Sequence, residues 1–317
     1  LNSPLSNSLV IIVGPTAVGK TAIAIQLAEC LPAEIISADS RYLYRGLDIG
    51  TAKPTPAERA RAPHHLIDVT PPDQPWSLAE FQSAALAALN AIHARGQLPL
   101  LVGGTGQYIK CLVEGWEIPP GNSASGVRTE LEMDLAREGV GALARRLTAL
   151  DPESAARVDL RNPRRVVRAL EVALSTGESF VAQRRKTPPP FGVTTIGLTL
   201  PRPELYARID ARVDAMLRAG LVAEVEVLVA QGYGWELPAM SALGYRQIGE
   251  YLRGECDLRE AVRRIKSATR QFVRRQANWF KPNDLTIKWF DAARTPVEVI
   301  RDHIRNVLKI QAAQPER

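Results

Sequence analysis

The eight residues Gly14-Pro-Thr-Ala-Val-Gly-Lys-Thr21 constrain this chain more than any other stretch. They match G-x-x-x-x-G-K-[ST], between the apolar run Leu9 to Val13 and a segment, Thr21 to Cys30, with apolar residues at helical spacing. Strand, loop and helix follow in the order the motif requires, and the glycines let backbone N–H groups point at phosphate oxygens from a loop of Gly14, Pro15, Thr16, Ala17, Val18, Gly19, Lys20 and Thr21. Lys20 adds a point charge, Thr21 offers its hydroxyl to Mg²⁺, and the helix N-terminus adds its dipole. Glu34 to Ala38 and Leu98 to Val102 read as further strands, the first running up to Asp39 and the second to Gly103 and Gly104. Between them, Ser77 and Glu80 form a capping box ahead of an alanine-rich helix running toward Gly96. Alternation of strands and helices predicts a parallel sheet with ligands at the carboxyl ends of its strands, where Gly14, Asp39 and Gly103 fall.

The expected fold is therefore α/β, a P-loop NTPase-like core with a parallel sheet, an inserted helical domain and a mainly helical C-terminal part. Pro119, Pro120, Gly121 and the adjoining serines read as a linker, followed by arginine-rich helical patterns to about Ser175. Thr187 to Phe191 is a second linker, and Thr194 to Leu200 a strand returning to the sheet. From Leu205 onward the pattern reads as helical, with stops at Gly220, Gly232 and Gly254. The boundaries so drawn are 1–118, 119–190 and 191–317.

Forty basic residues against thirty-four acidic ones give a charge of +6 over 317 residues, which favours a polyanionic partner. Cys30, Cys111 and Cys256 lie far apart without a CxxC pair, so no disulfide framework or zinc site is readable and a reducing cytoplasm is expected. Leu1 to Ser8 has no basic leader pattern, and Leu9 to Val13 is far shorter than the roughly 20 residues that span a bilayer. A soluble, cytoplasmic monomer with no membrane partner is the expectation.

A phosphate loop states which group is held, not what is done with it. NTPases place an aspartate at a strand end to manage Mg²⁺ and water, whereas Leu98 to Val102 ends in Gly-Gly-Thr-Gly. The acid present is Asp39, in Asp39-Ser-Arg-Tyr-Leu-Tyr44, and from the residues alone it serves equally as a helix cap or as a catalytic group. His64-His65, adjacent on an extended segment, point to opposite faces and read as structural. Lys53 reads either as a phosphate contact or as an exposed side chain. Tyr206, Trp235 and Tyr251 read as packing residues.

At this point the chain resembles the tRNA dimethylallyltransferases, also called isopentenyltransferases. The resemblance is carried by GPTAVGKT at 14–21, DSRYLYRGLDIGTAKP at 39–54, HHLIDV at 64–69 and VGGTGQY at 102–108. It continues in RRVVRALEV at 164–172, GLVAEV at 220–225, ALGYRQ at 242–247 and ATRQFVRRQANWF at 268–280, covering nearly the whole chain in order. It implies transfer of a dimethylallyl group from dimethylallyl diphosphate to the exocyclic N6 amine of the adenosine immediately 3′ of the anticodon in tRNA. The loop residues 14–21 would hold the donor diphosphate with Mg²⁺, with Arg212 favoured over Arg208 as a further ligand. Asp39 would be the base and Thr16 a donor-contacting catalytic residue.

The same resemblance implies contacts with the tRNA anticodon stem-loop from Asp39, Ser40, Arg41 and Tyr42, from Thr105, and from Arg164, Arg165 and Arg168. It extends them to Ser241, Gly244, Tyr245 and Arg246, with Arg128 a further contact. Arg263, Arg264, Lys266, Arg270, Arg274 and Arg275, interleaved with Phe272, Trp279 and Phe280, suit phosphate neutralisation and base stacking. Each such arginine also reads as part of a solvated helix face. Tyr42, Gln107, Phe272 and Ser241 depart from the residues common in the family at those positions. A P-loop small-molecule kinase would share residues 9–30, and a prenyltransferase acting on free adenine nucleotides would share more, but neither has a use for the basic helices. A pure RNA-binding module leaves the phosphate loop beside Asp39 without a purpose.

Overall fold

Every residue of Ser8–Val13 (β1) is buried, and the unbroken apolar run is what a parallel strand covered on both faces requires. The computed structural model describes residues 7–118, 126–183 and 185–313. The linker expected at Pro119 to Gly121 and the N-terminal stretch 1–6 lie outside them. The chain divides into two compact units, Leu1–Val113 with Pro189–Arg317, and Glu114–Pro188.

In the first unit β1 is followed by Lys20–Cys30 (α1), Ala33–Ser37 (β2), Pro56–Arg61 (α2), His64–His65 (β3), Leu78–Ala94 (α3), Leu98–Val102 (β4) and Gly106–Val113 (α4). The second unit holds Val127–Leu150 (α5), Pro152–Arg157 (α6) and Pro163–Thr176 (α7). The chain then returns with Gly192–Thr199 (β5), Arg202–Arg218 (α8), Leu221–Ala230 (α9), Tyr245–Leu252 (α10), Leu258–Gln276 (α11), Ile287–Asp291 (β6) and Val297–Ala313 (α12).

The six strands form one parallel sheet in the order β3-β2-β4-β1-β5-β6. The two faces of β1 build two cores. Val10 and Ile12 pack with Ile23 and Leu27 of α1 and Ile300 and Ile304 of α12, while Leu9, Ile11 and Val13 pack with Phe81, Leu89 and Ile92 of α3. A third core joins α8, α9, α10 and α11 through Val213, Leu221, Val225, Ile248 and Ile265. The expected capping box is present in full, with Ser77 Oγ accepting from Glu80 N–H (3.2 Å) and Glu80 Oε2 from Ser77 N–H (2.7 Å).

In the second unit α7 starts at Asn162, whose side chain accepts from Arg165 N–H (3.3 Å), with Pro163 at its first position. Leu131, Leu143, Leu147, Val166 and Leu170 form its core.

One expectation needs correction. Residues beyond Leu205 are not all helical, because Ile287-Lys-Trp-Phe-Asp291 adds β6 at the edge of the sheet beside β5. Its five residues are too few for a periodicity to show, and Lys288 faces solvent. The cue was the Pro282-Asn-Asp284 turn followed by a β-branched and aromatic run.

Candidate active site

Register brings the strand ends together. Ile12 and Ser37 both pair with Val102, so the loops leaving β1, β4 and β2 emerge side by side, carrying Gly14, Gly103 and Asp39. Gly19 caps α1 at φ 109°, a conformation that L side chains rarely adopt, and so lets the loop close onto the helix N-terminus. Lys20 Nζ donates to the carbonyls of Gly14 and Pro15, both at 3.0 Å, folding back over its own loop. Burial lowers the Lys20 pKa to about 8; the Asp39 charge opposes this, and Arg212 adds a smaller downward push.

Lys20, Asp39 and Gly103 wall a cavity of about 560 Å³ together with Thr16, Ala17, Gly19, Thr21, Tyr42 and Arg212. Apolar wall is added by Ile49, Met216 and Phe272. Asp39 uses one oxygen locally, Oδ1 accepting from Arg41 N–H (2.9 Å). Among the described residues Oδ2 has no hydrogen-bond partner, so Asp39 shapes its turn and still presents a carboxylate oxygen. The Tyr42 hydroxyl donates to Ala52 O (2.7 Å), and burial, reinforced by the Asp39 charge, raises its pKa well above the ordinary phenol range. Tyr42 therefore stays protonated and is excluded as a base.

Arg212 lines the cavity and has no partner among the described residues, whereas Arg208 donates to Val18 O (3.3 Å) from outside the loop. Val18 itself is fully buried, so it contributes backbone only. Ser40 N–H donates to Thr105 Oγ1 (3.2 Å), and the Arg41 guanidinium reaches Pro238 O (2.6 Å) and Ser241 Oγ (3.3 Å). Residues 39–42, 105 and 241 thus share one neighbourhood.

Several expected contacts take other roles. Tyr245, expected among the tRNA contacts, is a fully buried residue that donates its hydroxyl to Glu224 (2.5 Å), so its side chain is engaged within the core. Gly244 N–H is engaged by Gln247 Oε1 (3.0 Å). Arg263 and Arg264 pair with Glu260, Lys266 with Asp214, and Arg270 with Asp210, so these four are not free cations. Arg274 is exposed, and among the described residues it has no ion-pair partner; Arg246 pairs with Glu250 at 3.5 Å. Within the second unit, Arg128 and Arg168 share the buried Glu171, while Arg164 and Arg165 are exposed.

Lys53, read from the sequence as either a phosphate contact or an exposed side chain, is not exposed: it is buried and bound by Asp48 (2.5 Å), Asp68 (2.6 Å) and Tyr44 O (2.8 Å). His65 pairs with Glu34 at 2.7 Å, and His64 Nδ1 with Ala62 O at 2.7 Å, which fits the structural role expected of both.

Two functional side chains escaped the sequence reading. Glu224 of GLVAEV accepts from the N–H groups of Asp48 (3.1 Å), Ile49 (2.7 Å) and Gly50 (3.1 Å), pinning the cavity wall that carries Ile49. Gln276 of RQANWF reaches the phosphate loop. Loss of a carboxylate that satisfies three backbone donors and a phenol is expensive. Glu224→Ala should lower unfolding free energy by about 2–3 kcal/mol in chemical denaturation, and a change below about 0.5 kcal/mol would contradict this clamp.

A parallel sheet with a phosphate loop after its central strand, an acid after β2 on the far side of β4, and no acid after Val102 defines an α/β phosphate-loop protein built otherwise than the NTPases. Family models described as IPP transferase and isopentenyl transferase match residues 42–283 and 7–70. A tRNA dimethylallyltransferase of Roseiflexus sp. (strain RS-1) is 53% identical over 88% of this chain and 92% of its own length. Another from Chloroflexus aurantiacus is 54% identical over 86% and 92%. The crystal structure of the full-length tRNA isopentenylpyrophosphate transferase from Bacillus halodurans superimposes with a TM-score of 0.73 at 38% identity, covering 97% of this chain and 98% of that one. A eukaryotic dimethylallyltransferase captured acting on tRNA gives 0.82 at 25% identity, covering 98% and 81%. The chain belongs to the IPP transferase family.

Proposed function

We propose that this protein transfers the dimethylallyl group of dimethylallyl diphosphate to the N6 amine of the adenosine immediately 3′ of the anticodon in tRNA. The observation that carries the proposal is the free Asp39 oxygen on the wall of the cavity that also holds the phosphate loop. The adenine amine is a poor nucleophile because its lone pair is delocalised into the ring. Asp39 accepts its proton as nitrogen bonds to the donor's C1 and the carbon–oxygen bond to diphosphate breaks. Lys20, Arg212 and loop N–H groups other than those of Thr16 and Val18, which are engaged by Gln276 and Pro15 O, take up the charge that develops on the leaving diphosphate. Thr16 and Gly14 to Thr21 form the rest of that cradle.

The described residues contain no group of three or more His, Cys, Asp or Glu able to hold a metal. Mg²⁺ keeps its waters and binds through one or two protein oxygens and substrate phosphates; Thr21, in the cavity wall, would be its protein ligand. Held there, the ion would supply charge neutralisation on the departing diphosphate. No helix among the described residues is long and apolar enough to cross a membrane. The testing experiment is incubation of the protein with Mg²⁺, labelled dimethylallyl diphosphate and either tRNA or AMP. Label should enter tRNA alone, and label in AMP would replace this proposal with the free-nucleotide activity.

The Lys20 pKa gives a pH dependence. Below about pH 8 the ammonium is charged and the loop is cationic; above it, diphosphate binding must restore a proton. Donor affinity should therefore fall as pH rises beyond about 8, approaching tenfold per unit, with proton uptake on binding. Donor dissociation constants measured at pH 7, 8 and 9 check this, and a flat profile would contradict it.

The tRNA affinity is attributed to unpaired surface cations. Arg165 and Arg274 are the residues to change first, being exposed and without ion-pair partners among the described residues. Each replacement by alanine should weaken tRNA binding and reduce the log–log salt slope by about 0.7 to 0.9, leaving donor binding intact. Variants indistinguishable from wild type in a salt titration would make both a solvated surface.

A further inference from the structure

We infer that Gln276 is a positioning residue that fixes the donor loop to the loop bearing the base; this rests on the transferase function proposed above. Gln276 ends α11, is 5% exposed and lines the cavity. Both ends of its carboxamide are used: Oε1 accepts from Thr16 N–H at 2.8 Å, and Nε2 donates to Gly104 O at 3.2 Å. The next residue, Thr105, donates its N–H to Ala38 O (3.2 Å) and accepts Ser40 N–H on Oγ1 (3.2 Å). A short hydrogen-bonded path thus runs from Thr16 of the donor loop through Gln276, Gly104 and Thr105 to the residues on either side of Asp39.

An independent feature marks this amide as built in. A Cβ on Gly104 would lie 2.2 Å from Gln276 Nε2, so the loop after β4 lacks a side chain where the amide enters. The helix that supplies Gln276 is held as well, since Arg270 and Lys266 pair with Asp210 and Asp214 of α8, the helix that bears Arg212. Gln276 touches no reacting atom in this arrangement. Its effect is on the separation between the diphosphate cradle and Asp39, and rate is steeply sensitive to such spacing, a 1 Å misplacement costing about 10²-fold.

The test compares Gln276→Ala, Gly104→Ala, the double variant and Gln276→Glu with wild type. Gln276→Ala should lower kcat about 10- to 100-fold per folded site, with donor KM and tRNA binding within about threefold. Gly104→Ala should lower kcat similarly, because its methyl displaces the amide. The double variant should be no worse than Gln276→Ala, since the methyl then occupies vacated space. Gln276→Glu keeps an acceptor for Thr16 N–H and loses the donor to Gly104 O, so its kcat should also fall about tenfold. Wild-type kcat in Gln276→Ala or Gln276→Glu, or additive losses in the double variant, would overturn the inference. If wild type itself prenylates no tRNA, the proposed function fails instead, and unfolding midpoints of the same four variants still report whether Gln276 and Gly104 are coupled; additive midpoints would overturn the contact.

Discussion

Lys20→Ala should abolish prenyl transfer, with turnover falling by at least about 10²- to 10³-fold. The ammonium has two tasks in this site. It bridges the Gly14 and Pro15 carbonyls at 3.0 Å, which sets the curvature of the loop, and it is the cation beneath the cavity opposite Asp39. Alanine leaves both carbonyls without a donor and removes a charge that becomes more valuable as the diphosphate departs. Donor binding and the chemical step should both suffer, while tRNA binding, assigned in the proposal to surface arginines, should be retained. Wild type should consume dimethylallyl diphosphate and leave ATP intact, because the strand end after Val102 carries Gly103 and Gly104 in place of the acid that manages water and metal in NTPases. Rapid ATP turnover unaffected by the prenyl donor would point to a kinase or ATPase.

Asp39→Asn should lower turnover by about 10²-fold or more with tRNA affinity nearly unchanged. The substitution is a clean one here. Asparagine retains an oxygen for Arg41 N–H, so the turn persists, and only the carboxylate charge and its second, basic oxygen are lost. A second consequence follows from the charge. Asp39 holds the Lys20 pKa up, so its neutralisation should let Lys20 lose its proton at lower pH, and donor affinity should begin to weaken earlier on the alkaline side. Single-turnover rates and donor binding across pH would check both. Near-normal turnover in the variant would remove Asp39 from the mechanism.

The elements legible in the sequence were those with burial on both faces or a chemical marker at an end. β1, β2 and β4 announced themselves as apolar runs, α3 by its capping box, and α1 by the phosphate loop before it. Asp39 was legible as a strand-end acid, but its two readings could not be separated, because one carboxylate oxygen does the local capping and the other stays free. Lys53 was ambiguous for a different reason. Its partners Asp48 and Asp68 lie on irregular chain, where no period relates one position to another. Gln276 lay hidden among arginines on a helix whose exposed face dominates the pattern, and an amide carries no charge to draw notice. Tyr245 came from resemblance alone, and the partner of its hydroxyl, Glu224, lies 21 residues away on another helix.

The neck of the second unit bears on how the chain is made. β1 is a central strand, yet its partner β5 begins at Gly192, so during vectorial synthesis one edge of β1 stays unpaired until nearly two-thirds of the chain has left the ribosome. Such an edge invites wrong pairing. The intervening chain, however, is pinched at its base: Thr187 N–H donates to Gly115 O (2.8 Å), Glu117 N–H to Arg185 O (3.0 Å), Trp116 bridges Lys186 in antiparallel fashion, and Lys186 pairs with Glu114. A nascent chain that closes this pinch first converts a span of about seventy residues into a short tether, and the entropy of bringing β5 to β1 falls accordingly. The order of emergence then works for the sheet, since the unit that must fold on its own to close the pinch is complete before β5 appears.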